Sequence, residues 1–145
     1  MRTVASRAGR RAPLSSEVAA EFWDATRHGA LLLQWCSDCD RAVFFPRSFC
    51  PHCGGGERLE WRPSAGRGVV HSFTADHRPP PEFGPDPWVV ALIDLDEGVR
   101  IMSNIVGCPA GDVSVGMAVE VVWEPLEDGR HLPLFQPSTT DSSEE

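Results

Sequence analysis

Two pairs of cysteines, Cys36-Ser-Asp-Cys39 and Cys50-Pro-His-Cys53, are separated by only ten residues, and that spacing constrains the fold more than any other feature of the chain. Each C-x₂-C places two thiolates on one tight turn, and two such turns facing each other complete the tetrahedral sulfur shell of Zn²⁺. The shell is closed. A catalytic zinc keeps one position open for water or substrate, so four thiolates with no His or carboxylate ligand point to a structural ion. Iron of the rubredoxin type uses the same ligands across a longer gap. A redox C-x₂-C needs a βαβ context that nothing before Cys36 supplies. The expectation is one Zn²⁺ held by Cys36, Cys39, Cys50 and Cys53 in a rubredoxin-like Cys₄ zinc ribbon. Gly54 follows the second pair, where the chain needs φ > 0, and Asp40 occupies the equivalent place after the first. Asp tolerates that region better than most side chains.

A ribbon this short cannot hold together by apolar burial alone, and 145 residues leave room for one further small domain. All thirteen basic residues are Arg, and the chain has neither Lys nor Tyr. Schiff-base chemistry, a phosphate-binding P-loop lysine and a tyrosine acid are therefore excluded. The net charge is −8, although Arg2, Arg7, Arg10 and Arg11 crowd the first residues. An acidic body of this kind disfavours a polyanion as principal ligand. Cys108 stands apart from the ribbon and is expected to act as a small apolar side chain. Four metal thiolates and one free thiol suit a reducing compartment. There is no apolar signal-peptide core and no run of membrane-spanning length, so the reading is a cytoplasmic protein.

Residues 1–14 read as a disordered arm. Ser15 or Ser16 then offers an N-cap to a helix whose Val18, Phe22 and Ala25 share one face, and Gly29 ends it as a C′ glycine. An apolar run, 31–35, leads into the first knuckle, and 42–47 reads as the strand leaving it, closed by Pro46. From Gly66 onward the texture is short strands with turn residues between them. Val69, His71 and Phe73 alternate with Val70, Ser72 and Thr74, 89–95 is almost continuously apolar, and further strands cover 99–105, 119–124 and 132–135. Five strands and no second long helix predict a mainly β chain: helix, ribbon, then a five-stranded OB-fold barrel. The boundaries are 15–62 for helix and ribbon, 63–137 for the barrel and 138–145 for an acidic disordered tail. Between the first two barrel strands, 77–88 form a proline-stiffened loop carrying Phe83 and Trp88.

In order, Gly29, Cys36-x₂-Cys39, Phe45-Pro46-Arg47, Cys50-Pro51-x-Cys53-Gly54, Ser64 to Val70, Leu95 to Arg100, Val115-Gly116-Met117-x-Val119 and Leu132-Pro133-x-Phe135 resemble the zinc-ribbon plus OB-fold proteins of acyl-CoA metabolism. This family was formerly a domain of unknown function, and the match runs from about residue 17 to 137. The chain departs from its pattern at Asp40 and at Ser64-Ala65-Gly66. The resemblance implies an accessory subunit of thiolase-fold proteins, such as lipid-transfer-type thiolases, steroid side-chain aldolases or acyltransferases. The helix and ribbon would dock on that partner, and the OB domain would help shape the mouth of an acyl-CoA site.

The residues independently agree with a passive role. No serine sits in a nucleophile elbow, no glycine-rich loop links strand to helix, and none of the five histidines lies near a second catalytic candidate in sequence. Asp94 and Asp96 read as a solvated strand end. Phe22, Trp23, Trp35, Phe44 and Phe45 offer more large apolar surface than so small a module can bury, and are the expected partner interface. Arg47 and Arg67 are the candidates for contact with CoA phosphates, because arginine pairs with phosphate through a planar fork. The competing readings are a single-stranded nucleic-acid binder, disfavoured by charge, and a stand-alone thioester hydrolase, disfavoured by the missing nucleophile.

Overall fold

The computed structural model describes residues 1–7, 10–55, 59–81 and 84–138. Phe83 and all but the first residue of the expected acidic tail lie outside these described residues. Among the described residues the one α-helix, α1, spans Ala20–Thr26 and is shorter than expected. Ser16 does cap, its Oγ accepting from the Ala19 amide at 3.2 Å, but it caps a turn that precedes the helix. The buried positions are Phe22 and Thr26, one helical turn apart, whereas Val18 is exposed. Gly29 ends the helix at φ 74°. Its amide donates to the Thr26 carbonyl and that of Ala30 donates to the Ala25 carbonyl, the paired bonds of a Schellman motif.

Three short strands build the ribbon: β1 (Leu32–Cys36), β2 (Arg41–Val43) and β3 (Leu59–Pro63), antiparallel in the order β2-β1-β3. The strand leaving the first knuckle ends at Val43 and not at the expected Pro46. The cause is Gln34, a buried amide on β1. Its Nε2 donates to the Arg47 carbonyl at 2.8 Å and its Oε1 accepts from the Arg47 amide at 2.7 Å. These bonds stand in for ladder bonds and hold the chain there while Phe44 turns toward Phe22, ring centroids 6.1 Å apart.

The second half is a closed barrel of β4 (Arg67–Asp76), β5 (Trp88–Leu95), β6 (Arg100–Ile105), β7 (Ala118–Pro125) and β8 (His131–Pro137), in the order β4-β5-β6-β8-β7. All pairings are antiparallel except β6 with β8. This is the five-stranded OB arrangement. A register shift at His71 bulges β4, so that one strand bends to pair with both β5 and β7. Gly68 allows the closure: a Cβ there would lie 2.4 Å from the Asp94 carbonyl oxygen on β5. Val70, Ile93, Val119 and Phe135 fill the interior, each such side chain contributing about 1.5–3 kcal/mol by leaving water. A 3₁₀ turn, Ala110–Asp112, lies between β6 and β7.

Of the first fourteen residues, Arg2 to Val4, Arg7 and Arg10 lie against the barrel. Thr3 bridges Trp123 in parallel, the Trp123 amide donates to the Arg2 carbonyl at 2.9 Å and the Val4 amide to the Trp123 carbonyl at 2.8 Å. The reason is Glu124, a carboxylate only 2% exposed on β7. Arg10 pairs with it at 3.1 Å and the Arg7 amide donates to it at 2.9 Å. A charge so deeply placed requires such partners, and the clustered arginines of the arm supply them.

Candidate metal centre and the adjoining cleft

The two knuckles are built alike. After Cys36 closes β1, the chain turns so that the Asp40 amide donates to the Cys36 carbonyl at 2.7 Å, with Asp40 at φ 56°. In the second knuckle the Gly54 amide donates to the Cys50 carbonyl at 2.8 Å, with Gly54 at φ 80°. Asp40 accepts a further bond from the Trp35 indole N–H at 3.3 Å, which helps hold a non-glycine residue in the left-handed region.

The four sulfurs lie within 4.8 Å of one another, with Cys36 to Cys53 and Cys39 to Cys50 both at 3.8 Å. A tetrahedral ion with Zn–S bonds of about 2.3 Å has sulfur edges of about 3.8 Å, so the donor set fits Zn²⁺. The thiols do not ionise equally. Donation of its own proton to the Cys53 sulfur, then burial, pushes the Cys39 thiol up to about 12. Burial also opposes ionisation of Cys50, but the backbone amides of Cys53 and His52 outweigh it and lower the thiol to about 7. Four thiolates at neutral pH therefore need a cation among them. Four sulfur ligands leave no position for substrate, and Zn²⁺ here supplies folding energy to the ribbon.

Next to the ribbon lies a cleft of about 500 Å³ that the sequence did not reveal. Its walls come from four separate parts of the chain: Arg10 and Pro13 of the arm, Phe22 and Trp23 of α1, the 44–46 segment, and residues of β5, β6 and β8. One signal was present. Residues 89–93 are apolar at both alternating positions, as in a strand covered on both faces. Trp88, which begins β5, lines the cleft with the Arg10 guanidinium over its ring at 5.7 Å.

The predicted interface residues are distributed unevenly. Phe22 is buried within the chain, Trp23, Trp35 and Phe44 are half-buried, and Phe45 is 62% exposed. Trp23 and Trp35 are capped by the guanidinium groups of Arg130 and Arg62, at 5.1 and 4.8 Å. Phe49, half exposed beside the second knuckle, was not singled out from the sequence. Arg47 and Arg67 are not brought together. Arg47 follows the cleft-lining Pro46 with its side chain exposed, while Arg67 opens β4, which contributes nothing to the cleft. Asp94 is paired with Arg100 at 2.6 Å at the solvated end of its strand. Cys108 packs on the barrel core, where burial, with the Asp112 carboxylate second, pushes its thiol up and makes it a poor nucleophile. Among the described residues no helix is long and apolar enough to cross a membrane.

Residues 23–60 match the family described as ChsH2, rubredoxin-like zinc ribbon domain, and residues 61–124 match ChsH2, C-terminal OB-fold domain. A DUF35 domain-containing scaffold protein of Methanocaldococcus jannaschii is 38% identical over 96 residues, which is 65% of this chain and 68% of that protein. A probable enoyl-CoA hydratase alpha subunit of Thermomonospora curvata is 35% identical over 120 residues, or 81% of this chain, but the chain spans only 37% of that relative's length. One chain of the solved structure named Ltp2-ChsH2(DUF35) aldolase superposes with a TM-score of 0.78 at 32% identity, covering 87% of this chain and 98% of that one. Ribbon geometry, barrel topology and these likenesses agree: the chain belongs to the DUF35 family, as a zinc ribbon joined to an OB-fold domain of the ChsH2 kind.

Proposed function

We propose that this chain is a non-catalytic accessory subunit that binds a thiolase-like enzyme and helps form its acyl-CoA site. The observation that carries this reading is its likeness, over nearly the whole of the other chain, to a component of the Ltp2-ChsH2(DUF35) aldolase. The scaffold proteins among its relatives support the same role. The chemistry is consistent with it: the metal site is coordinatively closed, and Cys108 is shielded. Docking would use the ribbon edge where Trp35, Phe44 and Phe45 stand, with Phe49 beside them. Phe22, being internal, would support that edge from behind. Arg47, at the border of the cleft, is the better placed of the two arginines for CoA phosphates; Arg67 would need the partner to fold around β4. A ribbon with four free thiols to load suits a reducing compartment such as the cytoplasm.

The test is co-expression with a thiolase-like protein encoded beside it. The expected result is a co-purifying hetero-oligomer that Phe45→Glu or Trp35→Ala weakens while zinc content is unchanged. A chain that remains alone with every such neighbour, or turns over acyl-CoA by itself, overturns the proposal.

A further inference from the structure

The four zinc ligands are not equally protected. Cys36 and Cys50 are 1% and 0% exposed and pack with Val43, and Cys39 is half-buried against that cluster. Cys53 alone of the four is exposed. The two residues that follow it, Gly54 and Gly55, carry no side chains to cover it. A Cβ on Gly55 would stand 3.6 Å from the Cys53 sulfur, so the glycine leaves that side of the sulfur open. Gly55 is not among the glycines at positive φ, and its backbone would accept a side chain. A Zn²⁺ ion holds its cysteines as thiolates, the form that oxidants attack. Four thiolates more than balance a divalent cation, so electron density remains on the sulfurs. Oxidation then follows access, and access singles out Cys53. A second thiolate is within reach: Cys36 Sγ lies 3.8 Å from Cys53 Sγ, across the two knuckles. The Asp38 carboxylate borders the same opening, its Oδ2 3.8 Å from where a Gly55 Cβ would be, and favours an uncharged oxidant over an anion.

We propose that Cys53 is a peroxide-sensitive modification site, whose oxidation to a disulfide with Cys36 expels the ion and loosens the ribbon. The Cys53 thiolate attacks hydrogen peroxide: an S–O bond forms, the O–O bond breaks and hydroxide leaves, giving a sulfenic acid. The Cys36 thiolate then attacks that sulfur; the S–S bond forms, the S–O bond breaks and a second hydroxide leaves. The two thiolates together have lost two electrons, peroxide has been reduced, and each hydroxide takes a proton from solvent to become water. With two of four ligands gone, Cys39 and Cys50 cannot complete a tetrahedral shell, and the ribbon loses the folding energy that the ion supplies. A dithiol reductant together with zinc restores the starting state. This chemistry is independent of any partner enzyme.

The experiment treats the full zinc-loaded chain, without any partner, with hydrogen peroxide in the presence of the zinc-sensing dye pyridylazoresorcinol. Release of one zinc per chain is expected, with a peptide pair joined between Cys36 and Cys53 in a non-reducing digest and zinc binding recovered after dithiothreitol. Gly55→Leu places a side chain over the Cys53 sulfur and should slow release about fivefold, with zinc content and peroxide-free release unchanged. Should that variant fail to hold zinc, the digest of the parent chain decides. Cys108→Ser should release zinc at the parent rate. Met102, 64% exposed on β6, is the internal reference, because a thioether reacts with peroxide more slowly than a thiolate does. Sulfoxide at Met102 ahead of zinc release, a first disulfide that leaves Cys53 out, or a Gly55→Leu chain that holds zinc yet reacts at the parent rate overturns the proposal.

Discussion

Thr26, at the end of α1, and His131, the first residue of β8, are locked together by two hydrogen bonds. The His131 amide donates to Thr26 Oγ1 at 3.1 Å, and His131 Nδ1 lies 2.9 Å from the Thr26 carbonyl oxygen. That carbonyl can only accept, so Nδ1 carries the proton. Thr26 is fully buried and its hydroxyl also donates to the Trp23 carbonyl at 2.6 Å. One threonine thus anchors the helix to the barrel.

Thr26→Val keeps the shape and removes the acceptor. The His131 amide is then left without its partner, at a cost of about 1–3 kcal/mol. The expected outcome is a melting temperature lowered by several degrees with full zinc occupancy, read by calorimetry and metal analysis. An unchanged melt would show that the helix is held by apolar packing alone.

The ribbon should contain one zinc per chain. Cys50→Ser is expected to release the metal and make residues 30–63 protease-sensitive, because the metal's binding free energy is that module's folding free energy. Cys108→Ser, on the other half of the chain, should leave zinc unchanged. Elemental analysis of both variants checks the pair of outcomes, and iron as the native ion would refute the assignment.

The arm is expected to be part of the folded barrel. Arg10→Ala removes the guanidinium paired with buried Glu124 and should cost about 3–5 kcal/mol, an upper range because the Arg7 amide still donates to the same carboxylate. Combining Arg10→Met with Glu124→Leu should recover most of the loss. Urea denaturation of the three proteins measures it; a single variant as stable as the parent would mean that water serves Glu124 equally well.

Acid should weaken the protein in a defined window. The hydrogen-bonded Arg130 guanidinium holds Asp128 below the usual carboxylate range, and Arg100 does the same for Asp94. Each folded pKa is depressed, so the stabilisation is present above the unfolded value near 4 and is lost as pH falls through the folded one. Asp128→Asn should lower stability at pH 7 and flatten its dependence below pH 4. Melting temperatures from pH 7 to 2 follow the change, with an unaltered slope as the contrary result.

The metal site was legible in the chain because its determinants are local. Two cysteine pairs, a glycine and an aspartate at the two positive-φ positions fix both knuckles within eighteen residues, 36–53, and their flanks. Gly29 was legible for the same reason. The barrel was legible from alternation and turn spacing, and the β4 glycine within it finds its cause only in space: Gly68 faces the Asp94 carbonyl, a contact twenty-six residues distant.

What the sequence determined by itself, then, was every feature set by neighbours in the chain: the ligand set, the helix end and the strand count. The tertiary structure alone decided where the arm, Phe44 and Trp88 belong. The arm reads as solvated because its arginines are visible and the buried carboxylate that recruits them, Glu124, is 114 residues from Arg10. The 44–46 segment reads as a strand because its apolar pattern is strand-like, while the amide of Gln34 that draws it away acts across a fold. The cleft combines four segments that no spacing rule relates, since burial and charge pairing depend on distance in space and a chain records only distance along itself.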